Sequence, residues 1–152
     1  MSVSISLDEL VGDYEGTYRL IRSWETPPQS DSQSVASIVP VARGRFLTMR
    51  YTWAIDGTPH EGMLLLGREQ GGNAVSAVWV DSWHMSEKPL ICTGRLDDGT
   101  ITVVGSYAAP PGPDWRWRTE LVPGDGTLLI TMYNISPGGE EELAVESRYT
   151  RR

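Results

Sequence analysis

The stretch Asp13-Tyr14-Glu15-Gly16-Thr17-Tyr18-Arg19-Leu20-Ile21-Arg22-Ser23-Trp24 alternates in polarity with a period of two, which is typical of a β-strand. Its even-numbered positions are mostly aromatic or apolar, whereas its odd-numbered positions are mostly polar. We therefore expect the even-numbered side chains, including Tyr18, Arg22 and Trp24, to face the inside of a sheet.

The same period continues to the end of the chain. It predicts ten strands, at residues 13–25, 35–42, 45–55, 60–68, 74–83, 89–96, 100–107, 115–122, 127–135 and 142–150. Segments rich in Gly, Asp and Pro separate them, such as Asp56-Gly57 and Asp97-Asp98-Gly99. Because closure removes the two exposed sheet edges, the predicted fold class is all-β, a closed antiparallel up-and-down barrel of about ten strands.

Two segments depart from this pattern. Ser6-Leu7-Asp8-Glu9 fits a capping box and predicts a short N-terminal helix that ends at Gly12. Residues 26–34, which are rich in Pro, Ser and Gln, predict a mobile loop. The chain contains no internal repeat, so residues 1–152 are predicted to form a single domain.

Composition narrows the possible partners. The 152 residues include 20 acidic and 13 basic side chains, a formal net charge of −7, which argues against binding to nucleic-acid phosphates. No apolar run approaches the roughly 20 residues of a membrane span. The first residues lack the positive charge of a secretory signal, so we expect a cytoplasmic protein. Cys92, the single cysteine, lies in an apolar setting and predicts an inert core thiol.

Short motifs follow one another along nearly the whole chain: Leu7-x-x-Leu10-Val11-Gly12, Gly44-Arg45-Phe46-Leu47, Glu61-Gly62-Met63 and Trp79-Val80-Asp81-Ser82. Their order and spacing resemble a bacterial family of small β-barrels that carries a domain-of-unknown-function title and belongs with the lipocalin-like, or calycin-type, barrels. The resemblance implies a lipocalin-like fold and no settled activity.

The same resemblance suggests how the barrel closes and which cofactor it lacks. Calycin barrels often pack a late Arg across a Trp near the first Gly; here Tyr14 takes the place of that Trp, and Arg148 or Arg151 would supply the cation. Nitrobindin-type haem barrels, which are related in shape, need a late His. No His follows His84, so neither haem nor any other cofactor is expected.

Two carboxylates are predicted to face each other in one hairpin. If its turn centres on Gly71, Glu61 lies opposite Asp81 on the face that carries Met63 and Trp79. Opposed carboxylates repel unless they are solvated, bridged by an arginine or sharing a proton. The pair would orient a ligand or act as acid and base. The alternative is a wet rim or a structural pairing with one of the arginines Arg45, Arg50 and Arg95.

Arg22 and five tryptophans are further candidates for ligand binding. An inward Arg22 would clamp a ligand carboxylate, or else pair with Glu61 or Asp81, or extend into solvent at the open end. Strand alternation separates the rings from the cations of Trp115-Arg116-Trp117-Arg118, which favours inward Trp and solvated Arg over a nucleic-acid groove. The cavity walls would come from Trp24, Trp79, Trp83, Trp115 and Trp117, although core packing alone would also explain these rings.

The two histidines lie in one hairpin. His60 and His84 suggest a metal site together with Glu61 and Asp81, but each His points away from the neighbouring carboxylate, so no metal is expected. His84 remains a candidate general base at the barrel rim. The chain has no Gly-x-Ser-x-Gly elbow, phosphate loop or dinucleotide fingerprint.

These observations favour a barrel that binds a small, mostly apolar molecule with a polar or anionic end. One alternative is a homodimeric interaction module without a ligand. Another is a small enzyme that transfers protons through Glu61, Asp81 or His84, which we rank last. The residues predicted to contact a ligand are Tyr18, Arg22, Trp24, Trp79, Asp81, Trp83, Trp115 and Trp117.

Overall fold

A computed structural model describes residues 7–152 and contains ten β-strands. The strands are β1 Gly12–Ile21, β2 Gln29–Val41, β3 Phe46–Ile55, β4 Thr58–Arg68, β5 Ala74–Asp81, β6 Leu90–Asp97, β7 Thr100–Tyr107, β8 Trp115–Pro123, β9 Thr127–Ile135 and β10 Glu141–Arg151. A 3₁₀ helix, Leu7–Leu10, precedes β1. No helix in this part of the chain is long and apolar enough to cross a membrane.

Each strand pairs antiparallel with the next one along the chain, and β1 pairs with β10 to close the barrel. The predicted all-β fold, its closure and its ten strands are therefore confirmed. Tight turns join several hairpins: Asp56 and Asp98 have φ of 50°, and each is followed by a glycine with positive φ. Two successive residues with positive φ form the type of turn that matches the twist of a hairpin, which explains the Asp-Gly pairs.

The first connection differs from the prediction. Strand β1 ends at Ile21, four residues before the predicted end, and β2 begins at Gln29, inside the segment predicted to be a mobile loop. Residues 29–34 pair with β1 although they are polar, because their backbone completes the barrel wall. Ser34 is buried and its hydroxyl hydrogen-bonds to the Tyr149 hydroxyl at 2.7 Å. At this inward position a small hydroxyl side chain with a hydrogen-bond partner stands where an apolar side chain would have indicated a strand.

One end of the barrel, which we call the closed end, is covered by the 3₁₀ helix. Leu10 is buried there, and its carbonyl accepts a hydrogen bond from the Tyr14 hydroxyl at 2.8 Å. The Arg151 guanidinium lies over the Tyr14 ring, 5.3 Å from its centroid, and donates to the Glu9 carbonyl at 2.7 Å. Of the two predicted cations, Arg151 therefore makes the contact. The predicted helix N-cap, Ser6, lies outside the described residues.

Inward side chains of all ten strands form one continuous buried core. They include Leu66, Val103, Leu121 and Val145, which are among the most deeply buried. Cys92 belongs to this core, and burial raises the pKa of its thiol to about 11, so it is not a nucleophile at neutral pH.

Candidate functional site

The opposite end of the barrel, which we call the aromatic end, is built from rings on five elements. Its members are Tyr18 on β1, Tyr51 and Trp53 on β3, Trp79 on β5, His84 in the β5–β6 loop and Trp117 on β8. Tyr18 stacks on Trp53 with centroids 4.3 Å apart, and Trp79 stacks on Trp117 with centroids 5.4 Å apart. These rings meet because each strand places an aromatic residue at an inward position near the same end.

A buried carboxylate lies at the centre of this cluster. The Asp81 Oδ2 accepts hydrogen bonds from the Tyr51 hydroxyl at 2.6 Å and from the Trp53 indole nitrogen at 3.1 Å. Its Oδ1 accepts from the backbone nitrogens of Trp83 at 2.8 Å and His84 at 3.1 Å. Four donors compensate for the loss of water around the charge. Asp81 thereby joins β3 to the β5–β6 loop and fixes the position of His84.

The strand register corrects the predicted pair of carboxylates. Asp81 lies opposite Gly62, and Trp79 opposite Leu64, one residue away from the predicted pairing. The β4–β5 turn centres between Gly71 and Gly72, and a shift of one residue moves every β4 side chain to the other face. Glu61 therefore lies exposed on the outer surface, and the predicted face-to-face contact with Asp81 is wrong. The two carboxyl groups lie on opposite faces of the sheet.

Gly62 has a local role in the site. A Cβ atom built on it would lie 2.2 Å from the Tyr51 hydroxyl oxygen, so any side chain there would displace Tyr51. The missing side chain lets the Tyr51 hydroxyl reach Asp81 and accept a hydrogen bond from the Trp79 indole nitrogen at 2.8 Å. Two of the sequence motifs, Glu61-Gly62-Met63 and Trp79-Val80-Asp81-Ser82, therefore lie side by side and build the same polar network.

His84 lies among four tryptophan rings and is held by one side-chain hydrogen bond. Its Nε2 and the Tyr18 hydroxyl are 2.9 Å apart, and its ring contacts Trp79, Trp83, Trp117 and Trp53. Burial lowers the pKa of His84 to about 4, with a smaller contribution from His60 and an opposing one from Asp81. The ring is therefore neutral at pH 7. Burial, followed by the Asp81 charge, raises the pKa of Tyr18 well above its usual value.

A pocket of about 670 Å³ opens between this cluster and the loop that follows β5. That volume is in the range of small-molecule sites. Trp79, Trp117, His84, Tyr107 and Leu90 line its inner part, and Glu87, Lys88 and Pro89 form part of the rim. The Trp117 indole nitrogen is buried, and no residue of the described chain accepts its hydrogen. Buried donors are nearly always satisfied, so this one marks a place where an acceptor is missing.

A second group of polar atoms lies beside Trp117. Asn134 is its cross-strand partner on β9 and faces the same side of the sheet. The Tyr107 hydroxyl donates to the Asn134 side-chain oxygen. Asn134 itself does not line the pocket, whereas Tyr107 and Trp117 do.

Several predicted site residues lie elsewhere. Trp24 follows β1 in a turn and is 73% exposed, because the strand ends three residues before it. Arg22 also lies beyond the strand, where its guanidinium is 4.0 Å from the Glu25 carboxylate, and neither residue lines the pocket. The predictions that both are inward residues of β1 are wrong. Trp115 shares the face of Trp117 but does not line the pocket, and Trp83 is partly exposed beside His84.

The alternation predicted for β8 is confirmed. Arg118 points away from the barrel interior, where it pairs with Glu120 at 3.0 Å and with Glu141, and it lies over the Tyr133 ring. In residues 7–152 no cluster of three or more potential metal ligands is present. His60 hydrogen-bonds to the Ser82 hydroxyl and packs on Trp53, which also touches His84.

Sequence reasoning missed Tyr51, Trp53 and Asn134. A usable signal existed, because Leu47, Met49, Tyr51, Trp53 and Ile55 alternate along β3, and Asn134 follows an apolar alternation along β9. A polar or aromatic residue at an inward position near a strand end is the common feature. Their convergence on Asp81 and Trp117 depends on barrel closure and register, which the pattern of a single strand does not contain.

The fold and this site define a class: a closed ten-stranded antiparallel barrel, filled at one end and opening at the other into an aromatic pocket above a buried carboxylate. Residues 5–151 match the model of a family described as protein of unknown function DUF1579, and the chain belongs to that family.

The remaining comparisons with known proteins concern the fold alone. No curated protein matches the chain significantly. Among solved structures, the chain is similar to the crystal structure of Rv2717c from M. tuberculosis, with a TM-score of 0.65 and 17% sequence identity over 99% of each chain. At that identity the likeness concerns the barrel architecture.

Proposed function

We propose that this protein binds a small, mostly apolar molecule in the pocket at the aromatic end. The single observation that carries the proposal is the pocket of about 670 Å³, whose lining includes the rings of Trp79, His84, Tyr107 and Trp117. A cavity of that size with mostly apolar and aromatic walls suits a small, mostly apolar molecule. Trp79 and Trp117 would supply a broad apolar contact surface, because aromatic rings combine large area with few rotatable bonds.

In this proposal the buried polar residues act on the shape of the pocket. Asp81 has both oxygens occupied by protein donors, so it positions the His84 segment instead of contacting the ligand. The Tyr18 hydroxyl holds the His84 ring through a hydrogen bond with Nε2. Trp83 packs on the outer side of that ring. The predicted ligand contacts Trp79 and Trp117 are kept, and Tyr107 and Leu90 are added to them.

The first test is native mass spectrometry of the purified protein, followed by denaturation to release a bound molecule. In parallel, the protein is titrated with prodan, a neutral naphthyl ketone whose emission shifts to the blue in apolar surroundings. We expect a saturable blue shift. Ala108→Trp, at an exposed position on the pocket lining, should weaken prodan binding at least about tenfold by filling the mouth. Binding that is equally tight in that variant would contradict the proposed site.

A second candidate function, homodimerisation, is favoured by the outer surface of the barrel. A groove of about 920 Å³ crosses the outer faces of β2 to β5 and includes Val35, Met63 and Val80. Arg50 and Glu61 flank its apolar centre, and neither forms an ion pair within the described chain. Two copies facing each other would bring Arg50 of one onto Glu61 of the other, so the surface is complementary to itself.

Sedimentation of the wild type across a concentration series tests this candidate. We expect a dimer that Val80→Asp shifts towards monomer, because a charge would be buried at the centre of the contact. Ser76→Asp is the matched control, since Ser76 is exposed on the outer face of the same strand but outside the groove. A wild type that stays monomeric at every concentration would exclude the dimer and leave the ligand proposal unaffected.

A further inference from the structure

A methionine sulfur takes part in the hydrogen bonding at the end of β5. The backbone nitrogen of Asp81 donates to the sulfur of Met85, with the two atoms 2.8 Å apart. In a sheet a strand carbonyl would take this position, but β6 begins at Leu90, opposite Trp79, so β5 extends two residues beyond it. The Met85 backbone nitrogen donates in turn to the Asp81 carbonyl at 3.2 Å. Met85 is therefore bound to Asp81 through its side chain and its main chain.

The segment that begins at Met85 forms a wall between two cavities. Residues 85–89 line both the pocket at the aromatic end and the groove on the outer faces of β2 to β5. The four residues after Met85 are exposed, and they neither donate nor accept a backbone hydrogen bond within residues 7–152. The contacts of Met85 with Asp81 therefore hold one end of this wall, and the start of β6 holds the other.

The methionines of the described chain differ in how an oxidant reaches them. Met49 and Met132 are buried in the core, with exposed fractions of 2% and 4%. Met63 is partly exposed in the groove but does not line the pocket. Met85 is partly exposed as well and borders both cavities, so a peroxide dissolved in water can reach its side chain from either side.

We propose that Met85 is an oxidation site that regulates the pocket: a peroxide converts its thioether to the sulfoxide, residues 85–89 then separate from Asp81, and ligand binding weakens. The O–O bond of the peroxide breaks and one of its oxygens forms the S=O bond. The sulfur loses two electrons, which reduce the peroxide to water or an alcohol. This inference rests on the proposed function and adds the regulation of its site.

The chemistry of the sulfoxide explains why the contact is lost. Oxidation places partial positive charge on the sulfur, and the new oxygen becomes the hydrogen-bond acceptor of the side chain. That oxygen lies one bond further out than the sulfur, so the side chain has to move before the Asp81 N–H finds an acceptor again. The sulfoxide is also larger and more polar than the thioether, which opposes its packing against the core at Met85.

Treatment of the purified protein with hydrogen peroxide tests the site. Peptide mass spectrometry reports the fraction of each methionine that has gained one oxygen, and we expect Met85 to be oxidised before Met49 and Met132. After the peroxide is removed, prodan affinity should be about fivefold lower, the effect of one lost hydrogen bond. It should recover after treatment with methionine sulfoxide reductases. Unchanged prodan affinity in protein whose Met85 is fully oxidised would overturn the proposal.

Two variants identify the methionine responsible. Met85→Leu keeps a side chain of similar volume that does not react, so peroxide should leave its prodan affinity unchanged. Met63→Leu is the matched control, because Met63 lines the groove but not the pocket, and it should lose affinity as the wild type does. Protection by Met63→Leu but not by Met85→Leu would assign the effect to the groove and contradict the role of Met85.

Hydrogen exchange separates this proposal from the proposed function, because it needs no ligand. In the oxidised wild type the amide hydrogens of residues 81–88 should exchange at least about fivefold faster than in the reduced protein, and those of β9 should not change. Unchanged exchange in protein with oxidised Met85 would overturn the proposal even if prodan binds. If the reduced protein binds no prodan, the proposed function fails, and faster exchange still identifies Met85 as the oxidation-sensitive contact of this segment.

Discussion

The two ends of the barrel use the same alternating strands for opposite purposes. The closed end is filled by aliphatic side chains and covered by the 3₁₀ helix, with its polar contacts concentrated in Tyr14 and Arg151. The aromatic end encloses a charged carboxylate, a neutral histidine and an indole hydrogen without an acceptor. Strand alternation therefore specifies which side chains point inward, whereas the kind of inward side chain determines whether an end is filled or open.

The largest expected effect lies at the aromatic end. Asp81→Ala removes the acceptor of four hydrogen bonds and leaves the Tyr51 hydroxyl, the Trp53 indole and two backbone nitrogens without a partner. Buried donors that lose a charged acceptor are costly, so the free energy of unfolding should fall by about 3–5 kcal/mol. Urea denaturation followed by tryptophan emission measures this change.

The matched control for this prediction is Glu61→Ala. Glu61 lies on the neighbouring strand, one residue from the position opposite Asp81, but its side chain is exposed. A loss within about 0.5 kcal/mol is expected for such a surface position. Equal losses in the two variants would mean that the register and the opposite orientations of these carboxylates are wrong.

The pH dependence of stability should come from His84. Its pKa is about 4 in the folded protein, against 6.5 for an ordinary histidine, because burial opposes the charged form. The unfolded chain therefore binds a proton between these pH values while the folded protein does not. Stability is complete above pH 6.5 and is lost as the pH falls towards 4, by about 2–3 kcal/mol.

Denaturant titrations of wild type and His84→Gln at several pH values from 7.5 to 4 measure this contribution as the difference between the two curves. The wild type should lose more stability than the variant over that interval. His60→Gln removes only a smaller contribution to the lowered pKa of His84, so this variant should keep most of the wild-type slope. A His84→Gln curve parallel to the wild type would assign the pH dependence to other groups.

A smaller effect is expected at the closed end. Arg151→Ala removes the cation over the Tyr14 ring and the hydrogen bonds to the Glu9 carbonyl and the Tyr14 hydroxyl. We expect a loss of about 1–2 kcal/mol in the free energy of unfolding, with prodan binding unchanged because the pocket is at the other end. Arg148→Ala should cost almost nothing, since that side chain is mostly exposed and, among residues 7–152, its ion pair is with Glu146. Equal losses in the free energy of unfolding in the two variants would contradict a special role of Arg151 at the closed end.

The sequence predicted the closed end and the strand order better than the aromatic end. Alternation and Asp-Gly turns depend on neighbouring residues, so they located most strands within a few residues of their observed bounds. The polar start of β2 was not predicted to be a strand, because Ser34 is buried through a hydroxyl contact with Tyr149, 115 positions away. The Glu61–Asp81 pairing failed because the centre of one turn decided the face of a whole strand. Contacts such as Trp53 to Asp81 arise only when the barrel closes.

The smallest expected effect concerns Trp24, which lies near the aromatic end but outside it. Since it is 73% exposed and makes no ring contact within the described chain, Trp24→Ala should change the free energy of unfolding by less than about 0.5 kcal/mol. Prodan binding should also stay the same, whereas Trp79→Ala, which removes a buried ring from the pocket wall, should abolish it. Denaturation and the prodan titration measure both variants. A weaker affinity in Trp24→Ala would show that the loop folds back over the mouth when a ligand binds, and the aromatic end would then include a residue from beyond β1.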